Sequence, residues 1–234
     1  MIVLRNNLLF LYIFLISSSG TMAAEEDPWQ VMNENTYNFN EAMDATIATP
    51  LARGYLYVTP EIVQTGVTNF ISNVEDVSIG INNILQGHFK LGIMDFTRVI
   101  INSSLGIGGL FNVATSFGLE KHDEDFGQTL AVWGVPAGPY IVLPLLGPST
   151  LRDTFGKIPD SFVSPTLALD DDRTSYTYTF IDLVETRARY LGFDSLIIGD
   201  KYTFMKNAFY QQRAFDISNG MMKDEFDDSD EFDF

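Results

Sequence analysis

The feature that most limits how this chain can fold is a long series of apolar residues at helical spacing. The series lies between Thr59-Pro60-Glu61 and Gly87, and its members are Val63, Val67, Phe70, Val74, Val77, Ile81 and Ile84. Steps of three and four residues place these side chains on one face of an α-helix. Proline is favoured where a helix starts, because its missing N–H needs no partner there, and glycine where a helix ends. The sequence therefore predicts a helix from about residue 60 to 86.

Shorter series of the same kind predict helices along most of the remaining chain. They comprise a helix that Asp27-Pro28 opens and Pro50 ends, one at 89–102, one that starts at Thr150 with Asp153 in a capping box, one that ends at Gly192, and one between Asp200 and Gly220. The alternation typical of strands is found only over a few residues near Tyr176–Phe180. We therefore predict an all-α fold, a bundle of amphipathic helices in one domain over residues 24–220.

A long connecting segment, residues 105–148, departs from this pattern. It is apolar and broken by glycine and proline, above all in Leu105–Phe111 and Tyr140–Leu146. Loops beyond about 12–15 residues without structure are uncommon in compact domains and tend to be functional. Such backbone is buried in protein, lines a cavity or lies at an interface. Either the segment crosses a tight core, or it is partly immersed in one leaflet of a membrane. The candidates for that membrane interface are Tyr140, Ile141, Val142, Leu143, Leu145 and Leu146.

The N-terminal residues have the organisation of an export signal. Arg5 is the only charged residue in the first twenty-four, Leu8–Ile16 is an unbroken apolar run, and the small residues Thr21 and Ala23 follow it. The alternative, a membrane anchor, needs about twenty apolar residues to cross the hydrocarbon. We expect residues 1–23 to be a signal peptide that is removed, with cleavage after Ala23 or Ala24.

The charge balance limits the possible partners. The chain has 14 Lys plus Arg against 31 Asp plus Glu, a formal net charge of −17. Nucleic-acid phosphates would repel such a chain, so nucleic acid is excluded as a partner. Seven acids and no base lie between Asp224 and Phe234, which predicts a solvated, disordered tail over residues 221–234. Its interleaved Phe226, Phe232 and Phe234 leave a docking role open.

The sequence offers little for catalysis. There is no cysteine, which excludes a thiolate nucleophile, cysteine-ligated zinc and lipid attachment through an N-terminal cysteine. His122 lies in an acidic patch, but consecutive residues point in different directions, so a salt-bridged turn with Lys121 and Arg152 is favoured over a metal site. Ser149 lacks the Gly-x-Ser-x-Gly elbow of a hydrolase, and the glycines at 106–109 lack the context of a dinucleotide loop. We predict no enzyme, no cofactor and no metal.

Several ordered blocks resemble one known family. They are Asp27-Pro28-Trp29 with Tyr37–Asn40, Pro50-Leu51-Ala52 with Pro60-Glu61, Asn82-Asn83 with Asn102–Phe111, the run Leu119–Asp153, and Tyr210-Gln211-Gln212-Arg213. Together they are similar to the signature of the MlaA (VacJ) family, the outer-membrane components of a bacterial phospholipid-trafficking system. The resemblance covers nearly the whole chain after the export signal.

This resemblance implies a helical ring in the inner leaflet of the outer membrane, at its periplasmic face, in association with trimeric porins. Phospholipid misplaced in the outer leaflet would enter a central amphipathic channel and pass to a soluble periplasmic carrier, which maintains lipid asymmetry without covalent chemistry. The alternatives are a porin-associated adaptor that transports nothing and, less favoured, a lipid hydrolase. Many family members are lipoproteins held by an acylated cysteine, which this chain lacks, so a peripheral or periplasmic location stays open.

The resemblance also indicates residues for the channel. Phe39 and Asn40 fall where the family's first helix borders it. Small residues let lipid or backbone approach closely, which favours two further groups as its wall or gate. These are Gly106, Gly108, Gly109, Leu110 and Phe111, and the triplet Asp125, Phe126 and Gly127.

Overall fold

The computed structural model describes residues 27–164, 171–192 and 199–220, so the predicted signal peptide and acidic tail lie outside the described residues. The elements in chain order are α1 (Gln30–Met43), a π-helical turn (Asp44–Ala48), α2 (Thr49–Val58), α3 (Glu61–Leu85), α4 (Phe89–Ser104), a 3-10 turn (Ala114–Phe117), α5 (Phe126–Val132), β1 (Tyr140–Leu143), β2 (Gly147–Thr150), α6 (Leu151–Val163), α7 (Asp172–Tyr190) and α8 (Lys201–Ile217). The predicted all-α fold class is confirmed, and a two-stranded hairpin is the only sheet among these residues.

α1 and α2 form one continuous helical rod, so the prediction that Pro50 ends the first helix is wrong. In the π-helical turn before the proline, Thr49 donates its backbone N–H to the carbonyl of Asp44. The wider turn restarts the α-helical pattern at Thr49, and Pro50 then lies in the first turn of α2, where a missing N–H is tolerated. The rod also begins later than predicted, at Gln30, because Asp27 accepts a hydrogen bond from the Trp29 N–H in a preceding turn.

α3 and α4 pack as an antiparallel pair and approach each other closely at two glycines. A Cβ atom on Gly92 would lie 2.7 Å from the carbonyl oxygen of Gly80, so a side chain at that position would push the helices apart. The left-handed Gly87 ends α3 as predicted. The apolar series of α3, however, does not form a core. The buried residues of this helix are mostly polar or small: Ile71, Asn73, Asp76, Ile79, Gly80, Asn82 and Asn83.

The segment 105–148 is structured, which corrects the expectation of a long irregular connection. It contains the 3-10 turn, α5 and most of the β1–β2 hairpin, in which Tyr140 pairs with Thr150 and Leu143 with Gly147. Each of these elements is too short to repeat an apolar pattern, so periodicity could not reveal them. Residues Tyr176–Phe180, where alternation favoured a strand, lie inside α7.

The described elements pack in a closed cycle. α1 contacts β1, the hairpin contacts α6 and α8, and both of these helices contact α5. α5 contacts α3, α3 contacts α7, and α7 packs along α2, where Arg187 pairs with Asp44 of the π-helical turn. Since α2 is continuous with α1, the series of contacts returns to its start, which is the order that a ring of helices requires. Among the described helices, none has both the length and the apolarity to span a bilayer.

Candidate functional site

Within the described residues, polar groups are buried and apolar groups are exposed to an unusual degree. Buried polar and charged residues outnumber buried apolar ones, and every helix carries exposed aliphatic or aromatic side chains. Large apolar surfaces on a protein mark sites that contact a partner or a membrane. The candidate site therefore has two parts: a polar interior that fixes the geometry, and an apolar surface that meets the partner.

The centre of the polar interior is a buried ion pair between α3 and α4. Arg98 Nε lies 3.0 Å from Asp76 Oδ2, and both side chains are almost completely excluded from solvent. Lys121 reaches the other carboxylate oxygen of Asp76 at 3.0 Å, while Arg98 also donates to the Leu119 carbonyl and to Thr115 Oγ1. These contacts fix the 3-10 turn and the chain that follows it onto the helix pair.

A second cluster contains His122. Its Nδ1 lies 2.6 Å from Asp95 Oδ1, and Asn83 donates to the other oxygen of that carboxylate at 2.8 Å. Burial raises the pKa of Asp95, although the contact with His122 opposes the shift. The predicted salt bridges of Lys121 and Arg152 are made outside this turn, because Lys121 pairs with Glu75 and Asp76 of α3 and Arg152 pairs with Asp153. No group of three or more potential ligands in the described residues could hold a metal ion.

Next to this cluster lies Glu124, a buried acid whose negative charge is only partly compensated by its neighbours. Glu124 is almost fully buried, and Gln86 donates to it at 2.6 Å. Burial raises the pKa of Glu124 to about 7, with a further contribution from the neighbouring carboxylates of Asp125 and Asp123. Glu124 is thus a group that changes charge near neutral pH.

An ion-paired joint connects α5, α6 and α8. Arg213 binds both carboxylate oxygens of Asp125 at 2.7 Å and also Asp153, and Asp125 caps α5 by accepting from the Gln128 N–H. Burial would raise the pKa of Asp153, but Arg213 and Arg152 lower it below its usual value. A Cβ on Gly127 would lie 2.4 Å from Arg213 Nη2, so a side chain at this position would displace the ion pair. Of the predicted triplet, the structure therefore places Asp125 and Gly127 in a packed joint.

Two asparagines of α1 bind the outer edge of β1. Asn33, which is fully buried, donates to the Tyr140 carbonyl at 3.0 Å and accepts from the Val142 N–H at 2.9 Å. Asn40, two helical turns later, donates to the Leu143 carbonyl at 2.9 Å and accepts from the Leu145 N–H at 2.8 Å. On this side β1 has no neighbouring strand among the described residues, and the two amides make the backbone hydrogen bonds that such a strand would make. Sequence reasoning named Asn40 as a channel residue and overlooked Asn33, although a polar residue at the same helical phase was the available signal.

The predicted membrane-interface residues divide into two groups. Tyr140 and Val142 are buried and pack with Tyr202 in a small aromatic core, so their placement at an interface is wrong. The reason is the strand, which turns alternate side chains to opposite faces. Leu145 and Leu146 at the hairpin tip are exposed, while Ile141 and Leu143 are half-buried.

The predicted channel residues are likewise of two kinds. Phe39, Leu110 and Phe111 are exposed, and Gly108 is open to solvent. Phe126 is half-buried and makes an edge-to-face contact with Trp133. Gly106 and Gly109 are buried against backbone and against the Asn73 amide, respectively, where a side chain would clash. The loop 105–111 is thus a tight turn that displays apolar side chains.

The hydrolase alternative finds no support in this geometry. Ser149 is buried, and its hydroxyl donates to the Thr150 carbonyl and accepts from Thr154. His122, the base that such a site would need, is bound to Asp95. A cavity of about 400 Å³ does lie beside Ser149, but charged residues, including Asp160 and Lys157, line much of it.

Comparison with known proteins identifies the family to which this chain is similar. The family model described as MlaA lipoprotein matches residues 25–216. The chain is 34% identical over 214 residues to the Escherichia coli (strain K12) protein named intermembrane phospholipid transport system lipoprotein MlaA, with 88% of this chain and 85% of that protein covered. The chain belongs to the MlaA family.

Other MlaA relatives extend the likeness. The protein of the same name from Haemophilus influenzae is 26% identical over 207 residues, covering 86% of this chain and 83% of the relative. An uncharacterized protein of Rickettsia typhi is 33% identical over 191 residues, covering 80% and 76%. A solved chain, described under "Structural basis for maintenance of bacterial outer membrane lipid asymmetry", matches with a TM-score of 0.73 and 32% identity, and covers 82% of this chain and 100% of its own. The family expected from the sequence blocks is confirmed.

Proposed function

We propose that this protein transports phospholipid at the outer membrane and thereby maintains lipid asymmetry. The E. coli and H. influenzae relatives are named components of an intermembrane phospholipid transport system, and the matching solved chain concerns outer-membrane lipid asymmetry. The observation that carries the proposal for this chain is its polar interior beneath an apolar surface. Such a body is stabilised when its surface contacts hydrocarbon and its charged groups satisfy one another inside.

The protein lies at the inner leaflet, on the periplasmic face of the outer membrane. Exposed apolar side chains on α2, α3 and α7, among them Tyr57, Ile62 and Phe180, contact acyl chains, and the acidic parts of the surface remain in water. One acyl chain alone gives only marginal membrane binding, and stable attachment usually takes two signals. The apolar surface and a partner protein supply two such signals without an acylated cysteine.

Lipid passes through an amphipathic channel within the cycle of helices. Phe39 on α1 and the loop residues Leu110 and Phe111 form parts of its wall, where their exposed side chains accept acyl tails. Asp125 and Gly127 act by holding the frame at the α5–α6–α8 joint, and Phe126 lies at its edge. The protein moves the lipid without breaking a covalent bond.

Two protein partners complete the pathway. Trimeric porins hold the ring in the outer membrane. A soluble periplasmic carrier receives the lipid, and a basic patch on that carrier would match the net charge of −17. Cross-linking in living cells, followed by identification of the linked proteins, tests both partners.

Deletion of the gene tests the function. Phospholipid that added phospholipase can reach on intact cells is expected to rise in the deletion strain and to return to normal with the wild-type gene. Phe39→Asp, which places a charge at the proposed channel wall, is expected to fail to restore asymmetry. Asn38→Asp, at the neighbouring exposed position, is the matched control and is expected to restore it.

Protein purified from membranes separates transport from the alternatives. Mass spectrometry is expected to find intact phospholipid bound to it. An adaptor would carry no lipid, and a hydrolase would release fatty acid in a reaction that Ser149→Ala abolishes. Unaltered surface lipid in the deletion strain, together with a lipid-free protein, would rule out the transport function.

A further inference from the structure

Two loop tips hold large apolar residues in a backbone conformation that such residues rarely adopt. Ile107 has a φ of +54° and Leu145 a φ of +64°. Side chains with a Cβ crowd the backbone in this left-handed region, and glycine or asparagine occupies it with less strain. Both side chains are nevertheless largely exposed, at 67% and 63%. Neither packing within the protein nor contact with water explains why these positions carry apolar residues.

The tip at Leu145 is fixed to α1. Asn40 donates to the carbonyl of Leu143 and accepts from the N–H of Leu145, so a single amide binds the backbone that leads into the strained residue. Asn33 fixes the strand that leads to the tip in the same way. The hairpin can therefore keep Leu145 and its exposed neighbour Leu146 directed away from the protein.

The loop that carries Ile107 is bound to α3 and α4 by the same type of side chain. Asn69 donates to the Leu110 carbonyl at 3.0 Å, and Asn73 donates to Ser103 at 3.0 Å. Asn102 accepts from the Ala114 N–H at 2.9 Å, where the loop rejoins a regular element. The contacts of Asn69 and Asn102 thus bind the loop on the C-terminal side of Ile107, and the contact of Asn73 joins the two helices from which the loop projects.

The two tips also lie in stretches of the chain with an unusual composition. Residues 99–119 and 126–151 contain no Asp, Glu, Lys, Arg or His, although the chain as a whole has a net charge of −17. A charge carried into hydrocarbon is unfavourable, and acidic groups are repelled by anionic headgroups. The two charge-free stretches are thus suited to contact lipid.

We propose that Ile107 and Leu145 are preformed contact points for the acyl chains of the bilayer. The asparagine clamps hold each tip in its strained, outward conformation before the membrane is met. Burial of the two side chains in lipid then offsets the strain, since removal of apolar surface from water is favourable. This inference rests on the proposed function, because it assigns the lipid-contacting residues of a protein placed at the membrane.

The experiment uses Ile107→Asn and Leu145→Asn in the full chain. Asparagine tolerates the left-handed backbone, so each variant is expected to unfold at the same or a higher temperature than the wild type. Binding to vesicles of phosphatidylethanolamine with a minor share of phosphatidylglycerol is expected to weaken several-fold. Phe215→Asn is the matched control, because Phe215 is an exposed apolar residue on α8 outside both charge-free stretches. Its vesicle binding is expected to stay near that of the wild type.

A second measurement does not depend on the stability of those variants. The chain has no cysteine, so single cysteines introduced at positions 107, 145 and 215 can each carry one environment-sensitive fluorophore. Quenching by nitroxides on lipid acyl chains is expected at positions 107 and 145 and not at 215.

The inference is overturned if both labels stay in water and both asparagine variants bind vesicles like the wild type. If gene deletion still disturbs lipid asymmetry, that result does not contradict the proposed function. Conversely, labels that enter lipid in a protein whose deletion leaves asymmetry unchanged would refute the proposed function alone.

Discussion

The α3–α4 pair and the loops at 105–111 and 143–147 differ in what they bury and what they display. Between the two helices lie Asp76, Arg98, Asp95 and Asn83, all excluded from solvent and bonded to one another or to the chain beside them. The loops instead display branched apolar side chains and contain no charged residue. In a protein surrounded by water, these two environments would be reversed.

This difference shows that polar contacts give the molecule its shape, whereas apolar contacts remain available for a partner. A buried ion pair contributes little net stability, because the desolvation of two charges offsets their attraction. It does require a definite geometry, however. Arg98 thereby fixes residues 114–119 on α4, and Asn33 and Asn40 fix the hairpin on α1.

Breaking the central ion pair is expected to have the largest effect on the interior. Arg98→Ala leaves the buried Asp76 with Lys121 as its remaining charged partner, and should lower the free energy of unfolding by about 3–5 kcal/mol. Urea unfolding followed by circular dichroism in mild detergent measures the change. Arg53→Ala, at an exposed position on α2, is the control and should change stability by less than about 0.5 kcal/mol. Equal losses in the two variants would show that the interior has no special role.

A smaller effect is expected at the ion-paired joint. Gly127→Ala places a Cβ 2.4 Å from Arg213 Nη2 and 2.6 Å from Asp153 Oδ1, and should destabilise the fold by about 2–4 kcal/mol. Gly54→Ala is the matched control, since nothing lies within 4 Å of its Cβ position in α2. That change should stabilise the protein by about 0.5–1 kcal/mol, because alanine is the better helix former. Thermal unfolding of both variants tests the difference in sign.

The buried acid beside the helix pair predicts a pH dependence. Burial raises the pKa of Glu124 from 4.5 to about 7, so its ionised form opposes folding. This contribution is absent below about pH 4.5, grows as the pH rises through 7, and is complete above that, with a size of up to about 3 kcal/mol. Glu124→Gln can still accept from Gln86, and should be more stable than the wild type by about 1–3 kcal/mol near pH 8 and about equal to it near pH 4. Unfolding measured across this range would contradict the assignment if the two proteins kept parallel profiles.

The smallest effect on stability is expected at the surface. Leu146→Ser, at the exposed hairpin tip, should change the free energy of unfolding by less than about 0.5 kcal/mol, because the side chain has little packing to lose. Its sedimentation with outer membranes should nevertheless decrease, whereas Glu124→Gln should leave sedimentation unchanged. If Glu124→Gln lowered the sedimentation and Leu146→Ser did not, the proposed difference in role between interior and surface would be contradicted.

The sequence was sufficient for the longer elements. Seven apolar residues at regular steps located α3, and the capping residues Thr150 and Asp200 located the starts of α6 and α8. Such signals involve only a few neighbouring residues, so they can be recognised without knowledge of the tertiary structure. The family resemblance came from ordered blocks of residues, which a scan of the chain can also find.

The errors arose where a distant contact decides the outcome. Pro50 continues a helix after a π-helical turn whose Asp44 is bound by Arg187 of α7, 143 residues away along the chain. Tyr140 and Val142 are buried because a strand turns them toward Tyr202. Asn33 was not predicted as a site residue, since its two partners on β1 lie more than a hundred residues away along the chain. No local pattern carries that information.

The amino-acid sequence by itself determined the helical class, the positions of most helix ends, the acidic charge and the membership of the MlaA family. Local spacing and capping chemistry are enough for these, since each depends on residues that are near one another in the chain. Only the tertiary structure decided that the polar residues of α3 lie inside and that Ile107 and Leu145 are exposed on loops bound by asparagine amides. An apolar stripe has the same spacing whether it faces a core or a membrane, and what lies opposite it depends on contacts between distant segments.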